Sequence, residues 1–394
     1  MAKGHRTPSC RYAQNWPVYD KARCRRKHHL RILLRELANC VEQPEQLRGR
    51  PRLWLADVIF CIVFKIFCRH DGRTFTGDAD DAREMGFLER VPHFNSLSRY
   101  LRREWLTPVL TRLIELSSLP LAPFEHDFAV DATGFSTDRY ARWLDERTAE
   151  AVSRREWIKV HLICGVKTHI VTSVIVDWGN DSRFFGRLVA ATKRNFRMEE
   201  ISADRGYISG ENMRHAVLAG ATPFIAFRSD FRLDADYKST IWKRMLSMFL
   251  EEHGRFMAHY NKRNNVETVF SMIKANFGDF VLSRDERAQV NEALAKVLCH
   301  NLCVLIMSIY ELGIEPKFEA VVNPEAETKK DPERPEPVAE GRIVAAARKE
   351  PLRWESAKRK KRNRKSAVVD LAQLPLFDEA EAERPMPDVQ GSLF

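Results

Sequence analysis

Phe128-Ala129-Val130-Asp131-Ala132-Thr133 opens the part of the chain whose reading decides the fold. Residues 157–166 and 170–178 follow it, rich in Val, Ile and Thr, so three consecutive strands form an antiparallel meander. Asn180, Asp181 and Ser182 then supply cap residues for a helix running to Lys193. Beyond it the pattern predicts a strand at Ile201–Asp204, a helix at Glu211–Leu218, a strand at Thr222–Phe227 and further helices. The order is βββαβαβα, an α/β fold with a mixed sheet.

Ahead of this region the periodicity is helical, as in Arg31–Cys40, Pro51–Cys68 and Leu97–Leu116. A chain of 394 residues exceeds what one hydrophobic core usually serves. The expected division is a helical region at 1–122, the α/β domain at 123–314 and a tail at 315–394. Residues 1–55 carry 13 Lys plus Arg against 4 Asp plus Glu, which places most of the net charge of +10 at the N-terminus. Such a field attracts polyanions, nucleic acid first among them. Asn95 or Ser96 would cap a helix bearing Arg99, Arg102 and Arg103, which is either a recognition helix for a major groove or a basic surface helix.

No secretory signal is visible, and the apolar run Val58–Cys68 contains Lys65 and is too short to span a bilayer, so a cytoplasmic location without membrane contact is expected. The 8 cysteines follow no disulfide framework. Cys24 with His28 and His29 lacks the paired C-x-x-C of a zinc site, and Cys299-His300-x-x-Cys303 lies in an apolar helical run and reads as core. From Lys317 to Phe394 the sequence turns to Pro, Glu, Lys and Arg and loses periodicity, as a disordered tail does. It holds seven basic residues in the eight from Lys358 to Lys365, either a phosphate-binding run or solvated linker.

In-line transfer of a DNA phosphodiester calls for hard cations held by carboxylates. Asp131 and Asp204 each end a predicted strand; Asp131 precedes the small residues Ala132-Thr133-Gly134, and Asp204 precedes Arg205-Gly206-Tyr207. Taken singly, either reads equally well as a turn or cap aspartate. Tyr260, Arg263, Glu267 and Lys274 decide between these readings. On a helix advancing about 100° per residue they share one narrow stripe. Val266, Val269, Phe270, Ile273 and Phe277 form the apolar arc beside it. Asp177 and Asp181 are rival acids, although Asn180-Asp181-Ser182 is explained as a helix cap. Trp242 reads as a core tryptophan rather than a base-stacking one.

The chain resembles the DDE transposases of bacterial insertion sequences, whose third acid lies in a Tyr-x2-Arg-x3-Glu-x6-Lys pattern. Tyr260, Arg263, Glu267 and Lys274 match it throughout, while Val130-Asp131-Ala132-Thr133-Gly134 and Ala203-Asp204-Arg205-Gly206-Tyr207 resemble the first-acid and second-acid motifs. The resemblance covers roughly Phe124–Tyr310 and implies a ribonuclease H-like catalytic domain preceded by a DNA-end-binding region. It implies two Mg2+ ions, with Mn2+ as substitute, held by Asp131, Asp204 and Glu267. Arg263 and Lys274 would grip phosphates and Tyr260 would orient the strand. The partners it implies are terminal inverted repeats, target DNA and a second copy of the chain, in a nucleoid-associated setting. Glu267 lies 63 residues after Asp204, which leaves little room for the strand-rich insertion that some relatives carry there.

Two other readings compete with strand transfer. One is a nuclease that cuts without joining; the other is a repressor with a dead site, against which the presence of all three acids argues. In the tail, Gln373-Leu374-Pro375-Leu376-Phe377 resembles the peptide by which bacterial replication proteins dock on the sliding clamp, and Gln390-Gly391-Ser392-Leu393-Phe394 is a looser copy.

Overall fold

Alternation along Asp127–Ser136 sends Phe128 and Val130 to one side and Ala129 and Phe135 to the other, and all four are buried, so this strand, β1, is covered on both faces. The computed structural model describes residues 15–43, 52–137, 157–179, 181–227 and 239–318. The sheet adds β2 (Trp157–Gly165), β3 (Val171–Asp177), β4 (Glu200–Ala203) and β5 (Thr222–Ile225), in the order β3-β2-β1-β4-β5. β1 to β3 form the expected antiparallel meander, and β4 and β5 extend it in parallel from β1. This mixed sheet with flanking helices fits the ribonuclease H-like layout.

Asp131 lies within β1 rather than at its end. The ladder to β2 continues as far as Ser136 opposite Trp157, because Phe135 is buried and Gly134 has no side chain to obstruct the Trp157 ring lying against it.

Among the described residues, six α-helices precede the sheet: α1 (Trp16–Cys24), α2 (Arg26–Asn39), α3 (Leu55–Cys68), α4 (Phe75–Glu84), α5 (Phe94–Leu101) and α6 (Leu106–Ser118). The stretch read as one helix from Leu97 to Leu116 is therefore two, parted at residues 102–105. The cap of α5 is His93, whose side chain accepts from the Asn95 amide at 3.2 Å, not Asn95 or Ser96.

Among the described residues, the later α-helices are α7 (Phe185–Lys193), α8 (Gly210–Leu218), α9 (Thr240–Glu251), α10 (His253–Tyr260), α11 (Asn264–Phe277) and α12 (Glu286–Leu312). The capping expected at residues 180–182 instead starts a 3-10 turn, Asp181–Phe184, that leads into α7; Asn180 lies outside the described residues.

α12 is longer than the apolar run Val58–Cys68, and its length and composition would let it cross a membrane, yet most of it is buried inside the molecule. It packs on α3, α6 and one face of the sheet, so α2, α3, α5, α6, α11, α12 and that face share one apolar core. The expected boundary at residue 122 runs beside this common core. The other face packs on α7 with Phe128, Val130 and Ile163. Trp242 is 2% exposed in a third cluster with Phe227 and Phe256, as a core tryptophan should be.

Candidate active site

Three sets of bonds fix the helix that carries Glu267 alongside β1. At its start, the Lys262 ammonium bridges the first residues of two neighbouring strands, donating to Asp127 Oδ2 and Glu200 Oε2, each at 2.7 Å. Farther along, Lys274 Nζ donates to Thr133 Oγ1 at 2.7 Å. Past its end, the chain returns to β1, where the Ser136 amide donates to Asp279 O at 3.1 Å and the Val281 amide to Ser136 O at 2.9 Å. Val266, Val269, Ile273 and Phe277 are buried beneath. α11 is thus held parallel to the strand that carries Asp131.

The stripe Tyr260, Arg263, Glu267 and Lys274 survives a break in the helix. Tyr260 ends α10, Asn261–Arg263 is a 3-10 turn, and Glu267 lies in the first turn of α11. The Arg263 guanidinium reaches Asp131 Oδ2 at 3.4 Å and Glu267 Oε1 at 2.8 Å, and it lies 6.0 Å from the centre of the Tyr260 ring. Asp204 directly follows β4, whose last residue, Ala203, pairs with Val130, so it stands beside Asp131. Asp131 feels the charges of both Asp204 and Glu267, and it is the most enclosed of the three, the other two being exposed.

Burial is the main cause that pushes the Asp131 carboxyl up to about 6, and the neighbouring Asp204 and Glu267 charges add to it. The Ala132 amide, which donates to Oδ1 at 2.8 Å, and the Arg263 charge work the other way without prevailing. Burial also raises Tyr260 and lowers Lys274. A desolvated carboxylate with two like-charged neighbours is a site that calls for positive charge. Arg263 supplies it here: its guanidinium occupies the space between Asp131 and Glu267, and its buried Nε has no hydrogen-bond partner.

The donor set, all carboxylate oxygen, suits a hard divalent cation. No three Asp, Glu, His or Cys side chains among the described residues lie close enough to ligate one ion. The Arg263 guanidinium meets the charges of both Asp131 and Glu267.

The rival acids are paired elsewhere. Asp177 accepts from Arg183 at 2.6 Å and Asp181 from Lys159 at 3.0 Å. His300 is 1% exposed and bonded to His169 O at 2.9 Å, in keeping with a core role, and His29 bonds the Tyr310 hydroxyl at 2.8 Å. Of the arginines placed on a recognition helix, Arg99 lies in α5, while Arg102 caps it and Arg103 follows; all three are exposed. α5 packs on α3 and α12. Gln373, Leu374, Leu376, Phe377, Gln390, Leu393 and Phe394, and the basic run 358–365, lie outside the described residues.

Sequence reading missed Lys262, although it stands inside the motif, because its partners are Asp127 and Glu200, far away along the chain. It likewise gave no role to His161 or Tyr207, which lie behind the acids.

Residues 123–302 match the family model described as Transposase DDE domain, a segment that contains Asp131, Asp204 and Glu267. The match supports a DDE transposase. Comparison with curated proteins and with solved structures gave no match.

Proposed function

We propose that this chain is a DNA transposase of the insertion-sequence kind, which cleaves element ends and joins them to target DNA. The observation that carries this reading is a buried Asp131 carboxyl that feels the charges of Asp204 and Glu267, with the Arg263 guanidinium between two of these acids, inside the segment that matches a transposase domain.

Asp131, Asp204 and Glu267 would hold two Mg2+ ions, with Mn2+ able to substitute. When bound, the ions would stabilise the attacking and leaving oxygens of an in-line displacement, with water or a DNA 3′-hydroxyl as nucleophile. The chain's own residues do the rest. Asp131 must give up the proton that its burial favours. Arg263, released from the acids, swings to a phosphate oxygen, and the Tyr260 ring beneath keeps its guanidinium in plane. Lys274 holds the next phosphate while Thr133 Oγ1 fixes its ammonium.

End recognition belongs in this proposal to the basic helices within residues 1–120, Arg99, Arg102 and Arg103 among them. Bringing two ends together favours a homodimer on DNA, in the cytoplasm at the nucleoid. The two Gln-Leu/Phe peptides of the tail are proposed sliding-clamp contacts.

The test is a supercoiled plasmid carrying the gene with its native flanks, incubated with purified protein, together with a pre-cut 3′ end offered for joining. Cleavage and joining with Mg2+ or Mn2+, and binding alone with Ca2+, are expected. Cleavage without any joining would leave a nuclease instead, and no cleavage at all would remove the reading.

A further inference from the structure

The face of the sheet turned away from α11 holds polar groups that the scheme above does not use. His161 of β2 is fully buried, and neither of its ring nitrogens has a hydrogen-bond partner; Nδ1 stops 3.5 Å from Asp181 Oδ1. Tyr207 is 2% exposed and its hydroxyl has no partner either, although Asp131, Asp181 and Asp204 all act on it electrostatically. A buried polar group is normally paired, because leaving it bare forfeits its hydration with nothing in return. Two such groups in one small region point to something that they bind.

The surroundings are built rather than loose. Asn212 Nδ2 donates to Ser182 Oγ at 3.0 Å and to Tyr207 O at 2.8 Å, so one amide ties the turn carrying Asp181 to the turn carrying Tyr207. Phe184 lies 4.6 Å from the His161 ring, centre to centre, and Phe185 lies 5.9 Å from that of Tyr207, giving the region apolar walls. Lys159 holds the Asp181 carboxylate at 3.0 Å, in front of Nδ1. A carboxylate there places the imidazole proton on Nδ1 and leaves Nε2 as an acceptor. Burial lowers the imidazole's proton affinity, in keeping with a neutral ring.

We propose that Asp181, His161 and Tyr207 form a water-linked file that positions the Asp131–Asp204 side of the active site from behind. In it bound waters carry the Tyr207 hydroxyl's hydrogen bond to these two carboxylates and join its oxygen to His161 Nε2. The file fixes where the carboxylates sit before DNA arrives, so Tyr207 and His161 are positioning residues. The inference rests on the transposase reading.

The plasmid cleavage assay tests it with Tyr207→Phe, which deletes a hydroxyl that has no partner in the protein. Expected is a fall in kcat of about tenfold or more with KM for DNA unchanged, since a lost hydrogen bond to a charged group has that effect. The thermal midpoint should stay level or rise. His161→Gln, whose amide can both donate and accept, should keep more kcat than His161→Leu. A merely structural Tyr207 would lower the midpoint and leave kcat of the folded fraction alone. If the wild-type protein cleaves and Tyr207→Phe matches its kcat, the file is refuted and the transposase reading stands. If the wild-type protein does not cleave, both fall together.

Discussion

α11 and α12 lie against the same sheet, and both bring charged side chains into it, but they bond them to different kinds of partner. In α12 the partners of Lys296 and Glu292 are backbone, and those of Asn301 mostly so. Lys296 Nζ donates to the carbonyls of Phe277, Gly278 and Phe280 at 2.8, 3.1 and 2.5 Å. Glu292 accepts the amides of Leu282 and Ser283 at 2.8 and 2.9 Å. Asn301 donates to the carbonyls of Ile114 and Val171 and accepts the Val171 amide. Such partners cannot move without unfolding the chain, so these groups hold the structure together. Around the start of α11, Arg263 is bonded to two other side chains, Asp131 and Glu267, which also face each other's charge. Those bonds can be exchanged for bonds to a ligand. The contrast separates a buried charge that supports the fold from one that serves chemistry.

The largest effect that could break this contrast is at Lys296. Burial lowers its ammonium to about 8, so it is still charged at neutral pH. Lys296→Met leaves three carbonyls without their donor and should cost about 3 kcal/mol of stability or more. Denaturant unfolding measures this, and cleavage per folded molecule should remain near the wild-type rate. A cost below about 1 kcal/mol would place Lys296 with the exchangeable charges.

Asp131 should behave in the opposite manner. Its folded carboxyl titrates near 6 against about 3.9 when unfolded, so the folded state binds the proton more tightly. The stability this contributes is complete below about pH 3.9 and is lost as pH rises through 6. Its size is on the order of 2 to 3 kcal/mol. In chelator, Asp131→Asn should therefore gain stability relative to wild type between pH 4 and pH 7. A constant difference across that range would mean that the cleft does not strain its acids.

The contrast also explains what could be read from the sequence. The five strands and the meander were legible because β-branched and aromatic residues alternate along them. The motif Tyr260 to Lys274 was legible as a stripe even though the helix is interrupted, because the interruption is short: Arg263 still meets Tyr260 three residues back and Glu267 four ahead. The full extent of α12 was hidden, since Lys296, His300 and Asn301 break its apolar run while bonding to backbone from other elements. Lys262, His161 and Tyr207 were hidden for a related reason: what makes them notable is a neighbour, or the lack of one, that only tertiary packing decides.

A smaller effect sharpens the contrast. Lys274 is half-buried, and its ammonium meets side chains, the Thr133 hydroxyl and the Phe135 ring, rather than backbone carbonyls. Lys274→Gln should weaken DNA binding by about tenfold and reduce the slope of log affinity against log salt by about one. An unchanged slope in a filter-binding titration would return Lys274 to the structural class.

The central claim is met most directly by measuring Mg2+-dependent plasmid cleavage by Asp131→Ala, Asp204→Ala and Glu267→Ala, with the unfolding midpoint recorded on the same preparations. Loss of cleavage by at least about a thousandfold in each variant is predicted, with midpoints equal to or above wild type, because each substitution removes a like charge from a strained cluster. Full cleavage by any one of the three, or inactivity that follows only a lowered midpoint, would contradict the assignment of these acids to the chemistry.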